Sequence, residues 1–99
     1  MTEYFSSGLL DQSKLVEGSP GCLKQILLFS NGDADAFLRC YDVSSASEIN
    51  NTNCLSGLAV SGSALFKQLT FPPLSFKAGL YCLLTGTGAS YVVILSRAS

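Results

Sequence analysis

The apolar residues of this chain come in short runs, and turn residues cut them apart at nearly regular intervals. The longest runs, 26–29 (ILLF) and 91–95 (YVVIL), fall far short of the roughly 20 apolar residues that a membrane-spanning helix needs. Between the runs stand Gly18-Ser19-Pro20-Gly21, Asn31-Gly32-Asp33, Pro72-Pro73 and Gly86-Thr87-Gly88-Ala89. Each cluster favours a reversal, because Gly reaches positive φ, Pro presets φ and Asn tolerates the left-handed region. Turn signals about 8–12 residues apart are the pattern of an all-β sandwich or barrel.

The segments between the turns read as strands at 14–17, 22–30, 35–43, 54–60, 64–71, 79–85 and 90–96. Within 35–43 the two-residue period places Phe37, Arg39 and Tyr41 on one face and Leu38, Cys40 and Asp42 on the other. The second set is the better core candidate, which leaves Arg39 between two aromatic rings on a solvated or shared face. Asn31-Gly32-Asp33 is a hairpin signal between the second and third strands. Pro72-Pro73 ends the fifth, because proline cannot donate to a ladder. The last two strands form a hairpin through the 86–89 turn. The final one, SYVVILS, is β-branched or aromatic and apolar on both faces. One of those faces is expected to pack on the opposite sheet and the other to meet another subunit. The polar stretch 44–63 is a long loop around a weak strand.

The expected fold is therefore a small antiparallel β-sandwich or jelly-roll-like domain of about six to seven strands spanning 14–99. Residues 1–13 show no sustained period and are expected as an N-terminal arm. Tyr4, Phe5, Leu9 and Leu10 are its candidate contacts with a neighbouring subunit.

At 99 residues the chain is one domain, and a domain of this size buries only about 60–65% of its unfolded surface. Hydrophobic residues make up 47% and charged residues 13%, so the chain is not intrinsically disordered. With six Lys and Arg, scattered singly, it lacks the basic stripe of a nucleic-acid binder. The ten aromatic residues lack the interleaved cations of a single-strand stacking platform, which assigns them to core and interface. The start of the chain has no basic segment followed by a continuous apolar one. It does not read as a signal peptide, and synthesis in a cytoplasm is expected.

There is no His, so a Ser-His-Asp or Cys-His pair cannot be built, and no nucleophile–base constellation stands out. No enzymatic activity and no cofactor are expected. Cys22, Cys40, Cys54 and Cys82 contain no CxxC pair that would hold zinc. A reducing compartment disfavours disulfides, and the cysteines read as small apolar residues, three of them within apolar strands. Asp33, Asp35 and Asp42 carry no bidentate Glu at the spacing of a calcium loop, and no metal site is assigned. GTGAS lacks the following helix of a phosphate loop and reads as a turn.

Three longer segments carry a resemblance: SPGCLKQILLFSNG, then RCYDVSSAS, then FKAGLYCLLTGTGASYVVIL. Over residues 16–96 the chain resembles the small all-β virion proteins encoded beside the structural genes of tailed bacteriophages. The resemblance implies a β-sandwich that assembles on the particle as a capsid decoration (cement) protein. Its partners would be the major capsid protein or other virion proteins, and its location the virion. The four cysteines and the Asn-rich middle loop depart from the family pattern.

Composition supports assembly independently. With 13% charge and mean hydropathy +0.36, the chain has too few ionic side chains to cover its surface. Large exposed apolar patches mark interaction sites. Self-association or binding to a shell is expected through Tyr4, Phe5, Leu9, Leu10, Phe37, Arg39, Tyr41 and Tyr91, with no nucleic-acid or membrane partner. The alternatives are a tail, neck or fibre protein in host attachment, and a carbohydrate-binding or adhesion module. A face with Tyr41 and the Asn50–Asn53 loop would favour host attachment.

Overall fold

A computed structural model describes residues 3–97. Residues 1 and 2 of the expected arm and residues 98 and 99 of the expected sandwich lie outside it. Eight strands form two antiparallel sheets: β1 (Phe5–Ser6), β2 (Lys14–Glu17), β3 (Gly21–Phe29), β4 (Ala36–Tyr41), β5 (Cys54–Val60), β6 (Phe66–Phe76), β7 (Leu80–Thr85) and β8 (Ser90–Arg97). The first sheet has the order β1-β8-β3-β6 and the second β2-β7-β4-β5. This is the order of an eight-stranded jelly roll. Two short 3-10 turns, Ala46–Glu48 and Asn51–Asn53, fill the long loop before β5.

The core is the space between the sheets. Leu23, Ile26, Leu28, Phe76, Tyr91, Val93 and Leu95 enter it from the first sheet. Ala36, Leu38, Cys40, Val60, Leu80 and Cys82 enter from the second. The alternation expected for 35–43 holds at its centre, where Leu38 and Cys40 are buried and Phe37 and Arg39 exposed.

The pairing of strands differs from the expected hairpins. β3 and β4 lie in opposite sheets, and so do β7 and β8. The turns at Asn31-Gly32 and at 86–89 thus carry the chain across the sandwich. Among the described residues, only β4 and β5 are consecutive strands that pair with each other. Asn31 shapes the first crossing by accepting hydrogen bonds from the backbone of Asp33 and Ala34 at Oδ1.

β6 also runs through Pro72 and Pro73 rather than stopping at them. It is an edge strand, and its register against β3 jumps from Leu23↔Leu74 to Gln25↔Thr70. Residues 71–73 sit in that irregularity, where no ladder hydrogen bond is required of a proline.

The expected arm is the first strand of a sheet. Phe5 and Ser6 pair with Leu95 and Ile94. The Ser7 amide donates to Val93 O, and Leu10 and Tyr91 exchange backbone hydrogen bonds at 2.8 Å. Farther along, Ser13 Oγ accepts from the Leu84 amide in the other sheet. Four aspartate and glutamate side chains serve as local ties. Asp42 accepts from the amides of Lys77 and Ala78, Asp35 from that of Gly62, Glu48 from Ser44 Oγ, and Glu17 from Arg97 Nε.

Candidate interaction surface

The inner faces of both sheets are consumed by the core, so whatever the domain binds meets its outer faces, edges or loops. Along β3 and β8 the residues that alternate with the core lie on the outer face of the first sheet. The register aligns them in rows: Ser90–Phe29–Phe66, Val92–Leu27–Gln68 and Ile94–Gln25–Thr70. None of these nine residues is charged. Phe29 and Phe66 stack with centroids 5.0 Å apart, and Phe66 is 44% exposed.

This face ends in a strained corner. Leu65 has φ 65° and is 56% exposed, while the Phe66 amide donates to Ala64 O at 2.7 Å. That is a tight three-residue turn in a left-handed conformation that costs a branched residue roughly 1–2 kcal/mol. The Ser30 amide binds Leu65 O and holds the turn against the start of the first crossing. The strain presents Leu65 and Phe66 side by side at the rim.

The outer face of the second sheet has a different character. Phe37 and Arg39 project from β4. Their partners are Ala59 and Gly57 on β5 and Thr85 and Leu83 on β7. Depressions open on both sides of the Phe37–Arg39 pair, the one toward β5 over the small Gly57 and Ala59 and the one toward β7 beside Leu83 and Thr85. The one toward β7 measures about 310 Å³ and the one toward β5 about 230 Å³. No salt bridge joins Arg39 to another described residue. An open guanidinium beside an exposed ring offers a charge-assisted hydrogen bond and an apolar contact to the same ligand group.

Of the residues expected at an interface, Tyr4, Phe5, Leu9 and Phe37 are exposed, at 37% to 68%, and Arg39 is exposed with them. Tyr4, Phe5 and Leu9 lie at the β1 edge, while Phe37 and Arg39 lie on the other sheet. Leu10 is partly buried against the core.

Two assignments are corrected. Tyr91 is fully buried, because it faces inward beside Leu28 and its hydroxyl donates to Gln12 O at 2.8 Å. Burial also raises its phenol pKa above the ordinary value. Tyr41 is only 4% exposed. β4 shifts register against β5 between Cys40 and Tyr41, and beyond that bulge both Tyr41 and Val43 are buried. A face built on Tyr41 is therefore not available.

The residues that sequence reasoning passed over are Leu27, Phe29, Phe66, Val92 and Ile94. For all but Phe66 the signal was the unbroken runs ILLF and YVVIL, each of which fills both faces of a strand. Comparison with protein families, with curated proteins and with solved structures finds no match to this chain.

Proposed function

We propose that this domain is a non-enzymatic structural protein of a tailed-phage particle, a decoration protein that binds the capsid shell and stabilises it. The observation that carries this reading is the pair of opposed outer faces, one with Leu27, Phe29, Phe66, Val92 and Ile94 in rows that hold no charged residue, the other grooved around Phe37 and Arg39. Jelly rolls recur in capsid and lectin domains, which is an argument by analogy of fold.

Area favours attachment at more than one place. The three long strands of the first sheet, of 8, 9 and 11 residues, present a face of roughly 400 Å², from spacings of about 4.8 Å between strands and 3.3 Å per residue. That lies in the range of about 300–600 Å² for functional patches, but below the roughly 800 Å² per partner of a standard interface. A domain that uses both faces bridges two neighbours on a repeating lattice, and each contact raises the effective concentration for the other. Binding only the assembled lattice stabilises it by mass action.

The test is co-sedimentation of the purified chain with capsids that lack it, followed by mapping of its position by electron microscopy. Saturable binding on the head, lost in Phe66→Asp and in Val92→Lys, is the expected result. Density on the tail, neck or fibre moves the protein to host attachment. A second reading, a carbohydrate-binding module, is favoured by the exposed Phe37 ring beside Arg39. Glycan-array binding that disappears in Phe37→Ala, with no capsid binding, selects it.

A further inference from the structure

Cys40 and Cys82 face each other directly across the β4–β7 ladder, both fully buried, with Sγ atoms 3.6 Å apart. Opposed residues of an antiparallel pair have Cα atoms about 4.5–5.5 Å apart, inside the roughly 4.4–6.8 Å range that a disulfide spans. The two thiols are 42 residues apart in the chain, so a bond between them would close a long loop. Cys22 is partly buried beside Ser75, and Cys54 is exposed on the edge strand β5.

We infer that Cys40 and Cys82 form a cross-strand disulfide, a covalent lock within the second sheet that closes when the folding chain meets a small-molecule disulfide such as oxidised glutathione. The exchange balances in two steps. One cysteine, as thiolate, attacks a sulfur of the oxidant, forms a mixed disulfide and expels one thiol. The second cysteine then attacks the protein sulfur of that mixed disulfide and expels the other. The protein loses two protons and two electrons, and the oxidant is reduced to two thiols. The hydrogen bond with Cys82, together with burial, holds Cys40 protonated in the closed fold. Exchange therefore runs in folding or locally open chains, and the finished core then shields the bond from reduction. The inference does not depend on the assembly reading, since it concerns two core residues.

The test uses the full chain carrying Cys22→Ser and Cys54→Ser, refolded from denaturant in equal concentrations of reduced and oxidised glutathione. The expected product is a monomer lighter by two hydrogens, with no alkylatable thiol after unfolding. Its Tm should exceed that of the reduced form by roughly 15 °C or more, as removal of loop entropy from the unfolded chain predicts. Adding Cys82→Ala should abolish the mass loss and leave Cys40 as a free thiol or a glutathione adduct. If most of the refolded protein keeps two free thiols, or carries two glutathione adducts, the lock does not form. If it forms but lowers Tm, the native geometry opposes it, and the inference is overturned.

Discussion

Arg97 at the end of β8 grips Glu17 at the end of β2, its Nε donating to Oε1 at 2.6 Å and to Oε2 at 3.2 Å. The pair links the two sheets, since β8 belongs to one and β2 to the other. The same guanidinium lies 5.0 Å from the centroid of the Phe5 ring, so it also secures the first strand. Glu17 is 8% exposed while Arg97 is 66% exposed, which places the cost of separation on the carboxylate. Arg97→Ala is expected to destabilise the fold by about 1–2 kcal/mol, below the 3–5 kcal/mol of a fully buried pair because solvent reaches the arginine. Urea denaturation of the variant measures it. Removing both charges as Glu17→Gln/Arg97→Gln should cost less than Arg97→Ala alone.

Gly21 is held by steric necessity. A Cβ there would lie 2.0 Å from the backbone oxygen of Ser96 on the neighbouring strand. Gly21→Ala must push β3 and β8 apart and should cost about 3 kcal/mol, at the upper end of overpacking effects. A change of similar size at exposed Gly57, whose Cβ would meet its nearest neighbours at 3.5 Å, should leave Tm within a few degrees.

Leu65 reverses the usual direction of a hydrophobic-to-glycine change. Relief of its left-handed strain returns about 1–2 kcal/mol, against a loss of about 0.5–1 kcal/mol from the freer unfolded chain. Leu65→Gly should therefore stabilise the isolated domain by up to about 1 kcal/mol, read as a higher urea midpoint. The same variant should weaken capsid binding if the Leu65–Phe66 rim is part of the contact.

Stability should fall at alkaline pH. Cys40 is held protonated by its hydrogen bond with Cys82 and by burial, and Tyr91 mainly by burial. Both folded pKa values lie above those of the unfolded chain, so the folded state keeps protons that the unfolded state releases. Stability is complete below the unfolded thiol pKa of about 8.5 and declines as pH rises above it, with the phenol adding to the decline beyond about 10. Urea midpoints between pH 7 and 11 test this, and Cys40→Ala should flatten the first part of the curve.

The groove predicts charge selectivity. Arg39→Glu should abolish binding to any anionic partner of the second sheet while leaving Tm unchanged within a few degrees, because the side chain is exposed. Circular dichroism and the binding assay together separate loss of contact from loss of fold.

Strand positions were largely legible in the sequence, and strand partners were not. Segments 14–17 and 54–60 are strands at the expected residues. A turn cluster announces that the chain reverses, but the period-two pattern is the same whether the next strand joins its own sheet or the opposite one. Asn31-Gly32 and Gly86-Thr87-Gly88 were therefore read as hairpins where the chain crosses over. The stop expected at Pro72-Pro73 failed for a related reason, because nothing local marks β6 as an edge. Phe37 and Arg39 were legible from alternation alone. The floor beneath them, Gly57 and Ala59, belongs to a strand placed there by long-range register. Tyr41 was misread because a bulge shifts the pairing just where its burial is decided.

The alternation of strands between sheets bears on how the molecule comes into being. Phe5 and Ser6 find their partners at Leu95 and Ile94, so β1 must wait until β8 has left the ribosome. With β4–β5 the only sequential pair among the described residues, little can zip up early, and closure is expected in the millisecond-to-second range of non-local β topologies. During that interval its greasy strands lie open to neighbouring nascent chains, so slow synthesis or cool growth should improve its yield.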